Sequence, residues 1–177
     1  MSVQYLFTSA RLGFRNWRPV DVASMAAINA DPAVMEFFPV IQTLQQTEAF
    51  IERMQKQIAE RGYCYFAVDA LADGAFIGFI GLSYQTFEAD FTPCTDIGWR
   101  LAQKEWNKGY ATEGAQRCLH YALQELHLDK VVAMAPKVNV RSINVMQNIG
   151  MHETAGFIHP LLANDERLKE CVLYETY

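Results

Sequence analysis

The sequence lacks the features of secreted, membrane-spanning and nucleic-acid-holding proteins. Its four cysteines are scattered along 177 residues with no Cys-x-x-Cys pair, which favours reduced thiols and gives no reason to expect a metal site. No apolar run is long enough to cross a membrane, and residues 1–17 contain no signal-peptide core, so we expect a cytoplasmic protein. The net charge of −5 disfavours a protein that holds nucleic acid electrostatically.

The composition is that of an ordinary globular protein. Hydrophobic residues make up 51% of the chain, with no repeat and no linker, which predicts one domain over residues 1–177. The predicted strands are 11–17, 63–69, 75–85, 95–101, 131–135, 152–158 and 170–177, and the predicted helices are 21–29, 31–38, 44–61, 110–126 and 141–148. This order favours an α/β (α+β) domain with a mixed, mostly antiparallel sheet of about seven strands, flanked by helices and containing one parallel crossover.

Local signals predict where several helices begin and end. Asp21 is a suitable N-cap, and Thr43 with Gln46 has the spacing of a capping box. Gly62 and Gly150 follow apolar helical patterns, at the place where a left-handed residue usually ends a helix.

The stretch from 95 to 126 carries the clearest functional signal: a strand, a polar loop and an amphipathic helix. Asn107 is a candidate N-cap, and Gly109 lets a ligand approach the backbone closely. The unpaired first amides of such a helix, with Lys104 and Lys108 nearby, predict an anion site. The chain has no Gly-x-x-x-x-Gly-Lys-[Ser/Thr] run, and its glycines are not spaced as a dinucleotide fingerprint, so other common phosphate loops are excluded.

The segment Trp106-Asn-Lys-Gly109-Tyr-Ala111 resembles the [Gln/Arg]-x-x-Gly-x-[Gly/Ala] pyrophosphate loop of the GNAT superfamily of acetyl-CoA-dependent N-acetyltransferases, with Trp106 in place of Gln or Arg. The longer segment 97–113 is similar to the RimJ/RimL-type branch. The predicted element order also matches the family over nearly the whole chain.

The resemblance implies acetyl-CoA as cosubstrate and no metal ion. Gly98 lies inside a predicted strand. Without the resemblance, it marks either a bulge or the close approach of another backbone, or it is a glycine tolerated beneath a neighbouring Trp. In the family a bulge here splays the sheet at the cofactor site. The implied cofactor-binding residues are Trp99, Arg100 and Leu101 for pantetheine, Asn107, Lys108, Gly109, Tyr110, Ala111 and Thr112 for pyrophosphate, and Asn139 with Ser142 from a second motif.

That second motif is Asn139-Val-Arg-Ser142-Ile-Asn-Val145, followed by Gly150-Met151. Without the resemblance, the same residues are typical of a helix start capped by Asn139 or Ser142. Many members of the family carry a Tyr at the position of Met146, where it protonates the departing thiolate, and Met146 cannot do so.

Acetyl transfer to an amine requires loss of a proton from the ammonium group, so a general base is expected. Three residues are candidates: Asp96 on the cofactor strand, His159 before a proline, and Glu36 in the helical region that shapes the family's acceptor cleft. Each has a simpler interpretation. Asp96 is then a solvent-facing strand residue, His159 a loop residue with a backbone partner, and Glu36 a solvated helix charge. For the acid, Ser142 and Tyr174 are candidates, and Tyr174 is also a plausible core residue.

The sequence therefore predicts an N-acetyltransferase, monomeric or homodimeric, that moves acetyl to a primary amine by direct attack without a covalent enzyme intermediate. The RimJ/RimL resemblance suggests a protein or peptide N-terminal α-amine, while a small-molecule amine, a non-catalytic CoA-binding module and another phosphate ligand remain alternatives. The aromatic residues Trp17, Phe37, Phe38, Phe87 and Phe91 are candidates for lining an acceptor pocket or for ordinary packing.

Overall fold

A computed structural model describes residues 3–176 of the chain. One eight-stranded sheet runs through them in the order β1-β2-β3-β4-β5-β6-β8-β7. The strands are β1 (Phe7–Thr8), β2 (Leu12–Arg15), β3 (Tyr65–Ala70), β4 (Ala75–Gln85), β5 (Cys94–Leu101), β6 (Val132–Pro136), β7 (His152–Ile158) and β8 (Glu170–Glu175). The helices are α1 (Asp21–Ala30), α2 (Leu44–Arg61), α3 (Tyr110–His120) and α4 (Val140–Asn148). Adjacent strands are antiparallel except for the parallel pair β5–β6, which confirms the predicted fold class.

Most predicted helix boundaries agree with the structure. The capping box of α2 is present, with Gln46 N donating to Thr43 Oγ1 over 3.2 Å and Thr43 N donating to Gln46 Oε1 over 2.8 Å. Gly62 ends α2 in the left-handed conformation (φ 78°), and Gly150 follows α4 with φ 83°. The long apolar pattern after α3 continues through a π-helical turn, Tyr121–Glu125.

Three predictions were wrong in detail. The two-residue strand β1 was not predicted because it is too short to show a period of two. Residues 31–38 form turns rather than a helix, and Pro39 prevents the chain from continuing helically beyond them. Asp21 lies in the first turn of α1, whose N-cap is Val20, because the Asp21 carboxylate is bound by the Arg15 side chain and by the backbone N–H of Arg18.

The helices cover both faces of the sheet. On one face α2 packs through Phe50 against Phe79, with ring centroids 5.2 Å apart. On the other face α3 approaches closely at Gly114, where a Cβ atom would lie 2.3 Å from the Cδ1 atom of Ile80. Within residues 3–176, no helix combines the length and apolar character needed to span a membrane.

A buried ionic cluster fixes the start of the chain on the sheet. The guanidinium of Arg15 contacts Asp21 and Asp69, each at 2.7 Å, and all three residues are at most 2% exposed. The cluster joins β2, α1 and β3, so it holds α1 against the face on which the candidate site lies.

Candidate active site

The sheet opens between its two parallel strands. β5 pairs with β4 along its whole length, from Cys94 to Leu101, without a register shift. By contrast, β5 pairs with β6 only at Asp96 and Val132. Beyond that pair the second edge of β5 diverges from β6, so it has no neighbouring strand there.

The pairing of β5 with β4 shows no bulge at Gly98, and the pairing of β5 with β6 ends before this residue. The glycine has another role. A Cβ atom at Gly98 would lie 3.0 Å from a ring carbon of Tyr65, which lies across Gly98 from β3. Tyr65 pairs with Gly81, and Gly81 pairs with Gly98. A Cβ atom at Gly81 would meet the β3 backbone, 2.3 Å from the carbonyl oxygen of Cys64, whereas Gly98 leaves room for the Tyr65 ring.

A cavity of about 880 Å³ lies beside the open edge of β5. It is bounded by the end of β5, the loop that follows it, and the starts of α3 and α4. The predicted cofactor-binding residues that line it are Trp99, Arg100, Leu101, Asn107, Gly109, Tyr110, Ala111, Thr112, Asn139 and Ser142. Two motifs that are far apart in sequence are therefore brought to one cavity.

The start of α3 has the geometry of an anion site. Gly109, not Asn107, is the N-cap, and both residues adopt positive φ, 79° and 61° respectively. The predicted cap was wrong because the loop passes through two residues in the left-handed conformation, Asn107 and Gly109, before the helix begins. The first backbone bond into the helix runs from Glu113 N to Gly109 O at 3.0 Å, so the preceding amides have no partner within the helix.

Ion pairs and hydrogen bonds around the cavity hold this loop in place. Arg11 donates to the carbonyl oxygen of Lys108 over 2.9 Å and to the carboxylate of Glu113 over 2.7 Å. The Lys108 ammonium group contacts Glu105 at 2.9 Å. Lys108 is therefore placed beside the predicted pyrophosphate loop through its main chain, and its side chain is not among the cavity-lining groups of the described residues.

Trp106, which departs from the family pattern, connects three parts of the site. Its indole N–H donates to the carbonyl oxygen of Leu101 over 3.0 Å, and the guanidinium of Arg141 lies 4.8 Å from its ring centroid. Trp106 thus ties the loop to the end of β5 and to the start of α4. Arg141 also lines the large cavity.

A second cavity of about 350 Å³ adjoins the first. The residues that line both are Phe37, Phe38, Trp99, Arg100, Asn139 and Ser142. The smaller cavity contains Asp96 and His159 among aromatic side chains that include Phe87. Of the other predicted pocket aromatics, Trp17 is a core residue at 3% exposure and Phe91 packs against Phe157 with centroids 4.9 Å apart.

Asp96 lies inside the smaller cavity rather than facing solvent. It is 6% exposed, and the hydroxyl of Tyr65 lies 2.7 and 2.8 Å from its two carboxylate oxygens. The amide of Gln85 donates to Oδ1 over 3.2 Å. Burial raises the pKa of Asp96 to about 6, while the hydrogen bonds from Tyr65 and Gln85 act in the opposite direction. Asp96 is therefore a buried carboxylate whose pKa is raised toward neutral pH.

His159 lines the same cavity, but one of its nitrogens is occupied. Nδ1 accepts a hydrogen bond from the backbone N–H of Leu161 over 3.2 Å, and the ring lies 4.6 Å from the ring of Phe87. Burial lowers the pKa of His159, which favours the neutral imidazole. In that form Nε2 carries the proton, so neither nitrogen offers a free lone pair.

The remaining candidates fall in different places. Ser142 lines both cavities, and Met146 lines the smaller one at 1% exposure. Tyr174 is a core residue, 2% exposed, whose hydroxyl donates to Glu153 over 3.2 Å. Among the described residues, neither Tyr174 nor the exposed Glu36 belongs to the lining of these cavities.

Sequence reasoning missed Tyr65, Gln85 and Arg141. The first two reach Asp96 through the registers of three strands, which the sequence does not display. Arg141 had a visible signal, because it stands between the two motif residues Asn139 and Ser142.

Comparison with known proteins agrees with this geometry. The family model described as acetyltransferase (GNAT) domain matches residues 11–152. The chain is 30% identical over 151 residues to the uncharacterized N-acetyltransferase YnaD of Bacillus subtilis (strain 168), a match that covers 85% of this chain and 84% of that protein.

Solved structures share the fold. A GNAT-family acetyltransferase from Bacillus anthracis superposes with a TM-score of 0.79 at 24% identity, over 96% of both chains. Spermidine N-acetyltransferase from Vibrio cholerae, in complex with CoA and spermine, superposes with a TM-score of 0.73 at 18% identity, over 94% of this chain and 95% of that one. The family match, together with the open strand and the free helix start, establishes that this chain belongs to the GNAT family and is an acetyltransferase.

Proposed function

We propose that residues 1–177 form one GNAT-type domain that transfers acetyl from acetyl-CoA to an α-amine by direct attack of the amine. The observation that carries this proposal is the junction of two cavities at β5, one beside free main-chain groups and the other around the buried Asp96. The similarity of residues 97–113 to the RimJ/RimL-type branch supports a cytoplasmic enzyme of that branch.

The larger cavity suits acetyl-CoA, which supplies an acetyl group activated as a thioester. The open edge of β5 offers main-chain donors and acceptors to an extended pantetheine arm, and the start of α3 offers free amides to a pyrophosphate. Gly109 keeps that approach clear of a side chain. The residues proposed to hold the cosubstrate are Trp99, Arg100 and Leu101 on β5, through their main chain and not their side chains, together with Asn107 to Thr112 in the loop and first helical turn, and Asn139 with Ser142 on α4.

Asp96 is the proposed general base. Its pKa of about 6 lies about two units below that of a peptide α-amine, near 8, so proton transfer costs about 3 kcal/mol. For a lysine-like amine, above pKa 10, the same transfer costs about 6 kcal/mol. The difference favours an α-amine, such as a peptide N-terminus, over an unperturbed polyamine. A small molecule with an α-amine is the alternative acceptor.

Ser142 is the proposed proton donor for the departing thiolate, because it lines both cavities. Met146 occupies the position at which many family members carry a Tyr, and a thioether cannot donate a proton. A thiolate is a stable leaving group, so weak assistance is sufficient.

Met146 also supports a second candidate function, a CoA-binding module without turnover. The test has two parts. Calorimetry should detect binding of acetyl-CoA, with ATP and NAD as controls, and a Gly109→Val variant should lose it because valine tolerates φ of 79° poorly. Release of free CoA should then be measured with peptides and with small amines. Binding of acetyl-CoA without release on any amine would favour the non-catalytic module, and equal binding of all three nucleotides would refute the cosubstrate.

A further inference from the structure

Arg100 is the most unusual charged side chain near the site. It lies on β5 between the two cavities, lines both, and is only 8% exposed. Its Nη1 atom donates to Oδ1 of Asn29 over 2.7 Å, and its guanidinium lies 4.1 Å from the ring centroid of Phe38. The guanidinium is thus held beneath an aromatic ring in the shared wall of the cavities.

Among residues 3–176, no carboxylate lies within ion-pairing distance of the Arg100 guanidinium. Its Nε atom is buried and makes no hydrogen bond. The contrast with Arg15 is direct, since that residue is 2% exposed and contacts both Asp21 and Asp69 at 2.7 Å. Buried charges are normally paired, so an unpaired one at a cavity wall points to an anionic ligand.

Burial lowers the pKa of Arg100 to about 10, so the group is still cationic at neutral pH. Among residues 3–176, the other acidic or basic side chains lining the smaller cavity are Asp96 and the half-buried His159, whose lowered pKa favours the neutral imidazole. Asp96 and Arg100 lie on the same face of β5, four residues or about 13 Å apart along the strand. Both side chains line the smaller cavity, so an acceptor bound there can meet Asp96 with its amine and Arg100 with an acidic group.

We propose that Arg100 binds a carboxylate of the acceptor, so that the enzyme selects amines that carry an acidic group within about one residue of the reacting nitrogen. This inference rests on the proposed function. A free amino acid and a peptide with an acidic residue near its N-terminus both supply this chemistry. A polyamine does not, because it would bring a second positive charge to the guanidinium.

The test compares pairs of acceptors that differ only in the acid. Phenylalanine is compared with phenylalaninamide, and a peptide amide that begins Ala-Glu with one that begins Ala-Gln. Two readouts are used: kcat/KM for CoA release, and calorimetric binding of the matching N-acetylated products to the CoA-saturated enzyme. The wild type should prefer the acid in at least one pair by about 30-fold or more, the smallest effect expected of a buried charge pair.

Three variants test whether Arg100 causes the preference for acids. Arg100→Gln should reduce it to less than about threefold, and Arg100→Lys should retain part of it because the charge remains. Arg141→Gln is the matched control, since Arg141 lines only the larger cavity and should leave the acid preference unchanged. Thermal unfolding and acetyl-CoA affinity are measured for each variant.

The outcomes are separable. A wild type that binds and acetylates acids and amides equally overturns the proposal, whatever the variants do. It is also overturned if Arg100→Gln keeps the preference, or loses acetyl-CoA affinity instead. Preferential binding of N-acetylated acids without CoA release on any amine would refute the proposed transferase activity and leave the carboxylate site standing.

Discussion

Removal of the Tyr65 hydroxyl tests whether Asp96 is the general base. The hydroxyl lies 2.7 and 2.8 Å from the two oxygens of the carboxylate. A phenol has one proton, so these two contacts amount to one charge-assisted hydrogen bond shared between the oxygens. Tyr65→Phe deletes this bond and leaves the longer one from Gln85, at 3.2 Å.

The size of the effect follows from the strength of that bond. A hydrogen bond to a charged group contributes about 1.5–3 kcal/mol, which corresponds to about 1–2 pKa units. Since the bond stabilises the ionised form, its loss should raise the pKa of Asp96 from about 6 to about 7–8. The base form is the active one, so the acidic limb of kcat/KM moves to higher pH. At pH 6.5 the variant should be roughly 3- to 25-fold slower, and near pH 9 it should approach the wild type.

The assay is CoA release with one α-amine acceptor between pH 5 and 9.5. Tyr63→Phe is the matched control, because it removes a neighbouring hydroxyl that contacts Thr95 at 2.7 Å and leaves the partners of Asp96 intact. An acidic limb that stays in place in Tyr65→Phe, or that moves to lower pH, would refute the role of Asp96. An equal shift in both variants would show that the effect is not local.

Further predictions concern activity and stability. Asp96→Asn should lower kcat by about 10²- to 10⁴-fold. The same change should stabilise the fold at pH 8 by about 3 kcal/mol, because ionisation of the buried Asp96 carboxyl lowers the free energy of unfolding as pH rises from about 4 to 6. In urea unfolding, this gain in stability should vanish near pH 4. Arg15→Met should destabilise by about 3–5 kcal/mol in urea unfolding, because two buried carboxylates lose their partner, and a loss below 1 kcal/mol would contradict the assigned burial. Gly62→Ala should cost about 1–2 kcal/mol through backbone conformation alone, since φ is 78° and the nearest atom to the added Cβ is 3.8 Å away; unchanged stability would argue against the left-handed end of α2.

The fold could be predicted from the sequence because its signals are local. The strands at 75–85 and 152–158 have the predicted bounds, and the capping box at Thr43 marks the start of α2 as expected. The proposed cofactor half of the site is likewise encoded in continuous segments, the loop before α3 and the start of α4. Errors arose where a tertiary contact competes with a local preference, as at Asp21, which binds Arg15 instead of capping its helix.

The proposed acceptor half of the site could not be predicted in the same way. Tyr65, Gln85 and Asp96 belong to three different strands, and only the registers of β3, β4 and β5 bring them together. A shift of one residue in any register would turn the side chain to the opposite face of the sheet. Hydrophobic periodicity predicts which residues form strands, but it does not fix which residues stand opposite each other.

Gly98 shows how one residue serves both halves of the site. A strand glycine was interpreted as a bulge, whereas β5 keeps its register and the sheet opens through the divergence of β6. Any side chain at Gly98 would press on the Tyr65 ring, which a Cβ atom already approaches to 3.0 Å. The Tyr65 hydroxyl opposes the rise in the pKa of Asp96 that burial causes, so such a side chain would displace a partner of the proposed base. The absence of a side chain at Gly98 therefore links two parts of β5. One is the edge proposed to bind the cosubstrate, and the other is the face that carries Asp96.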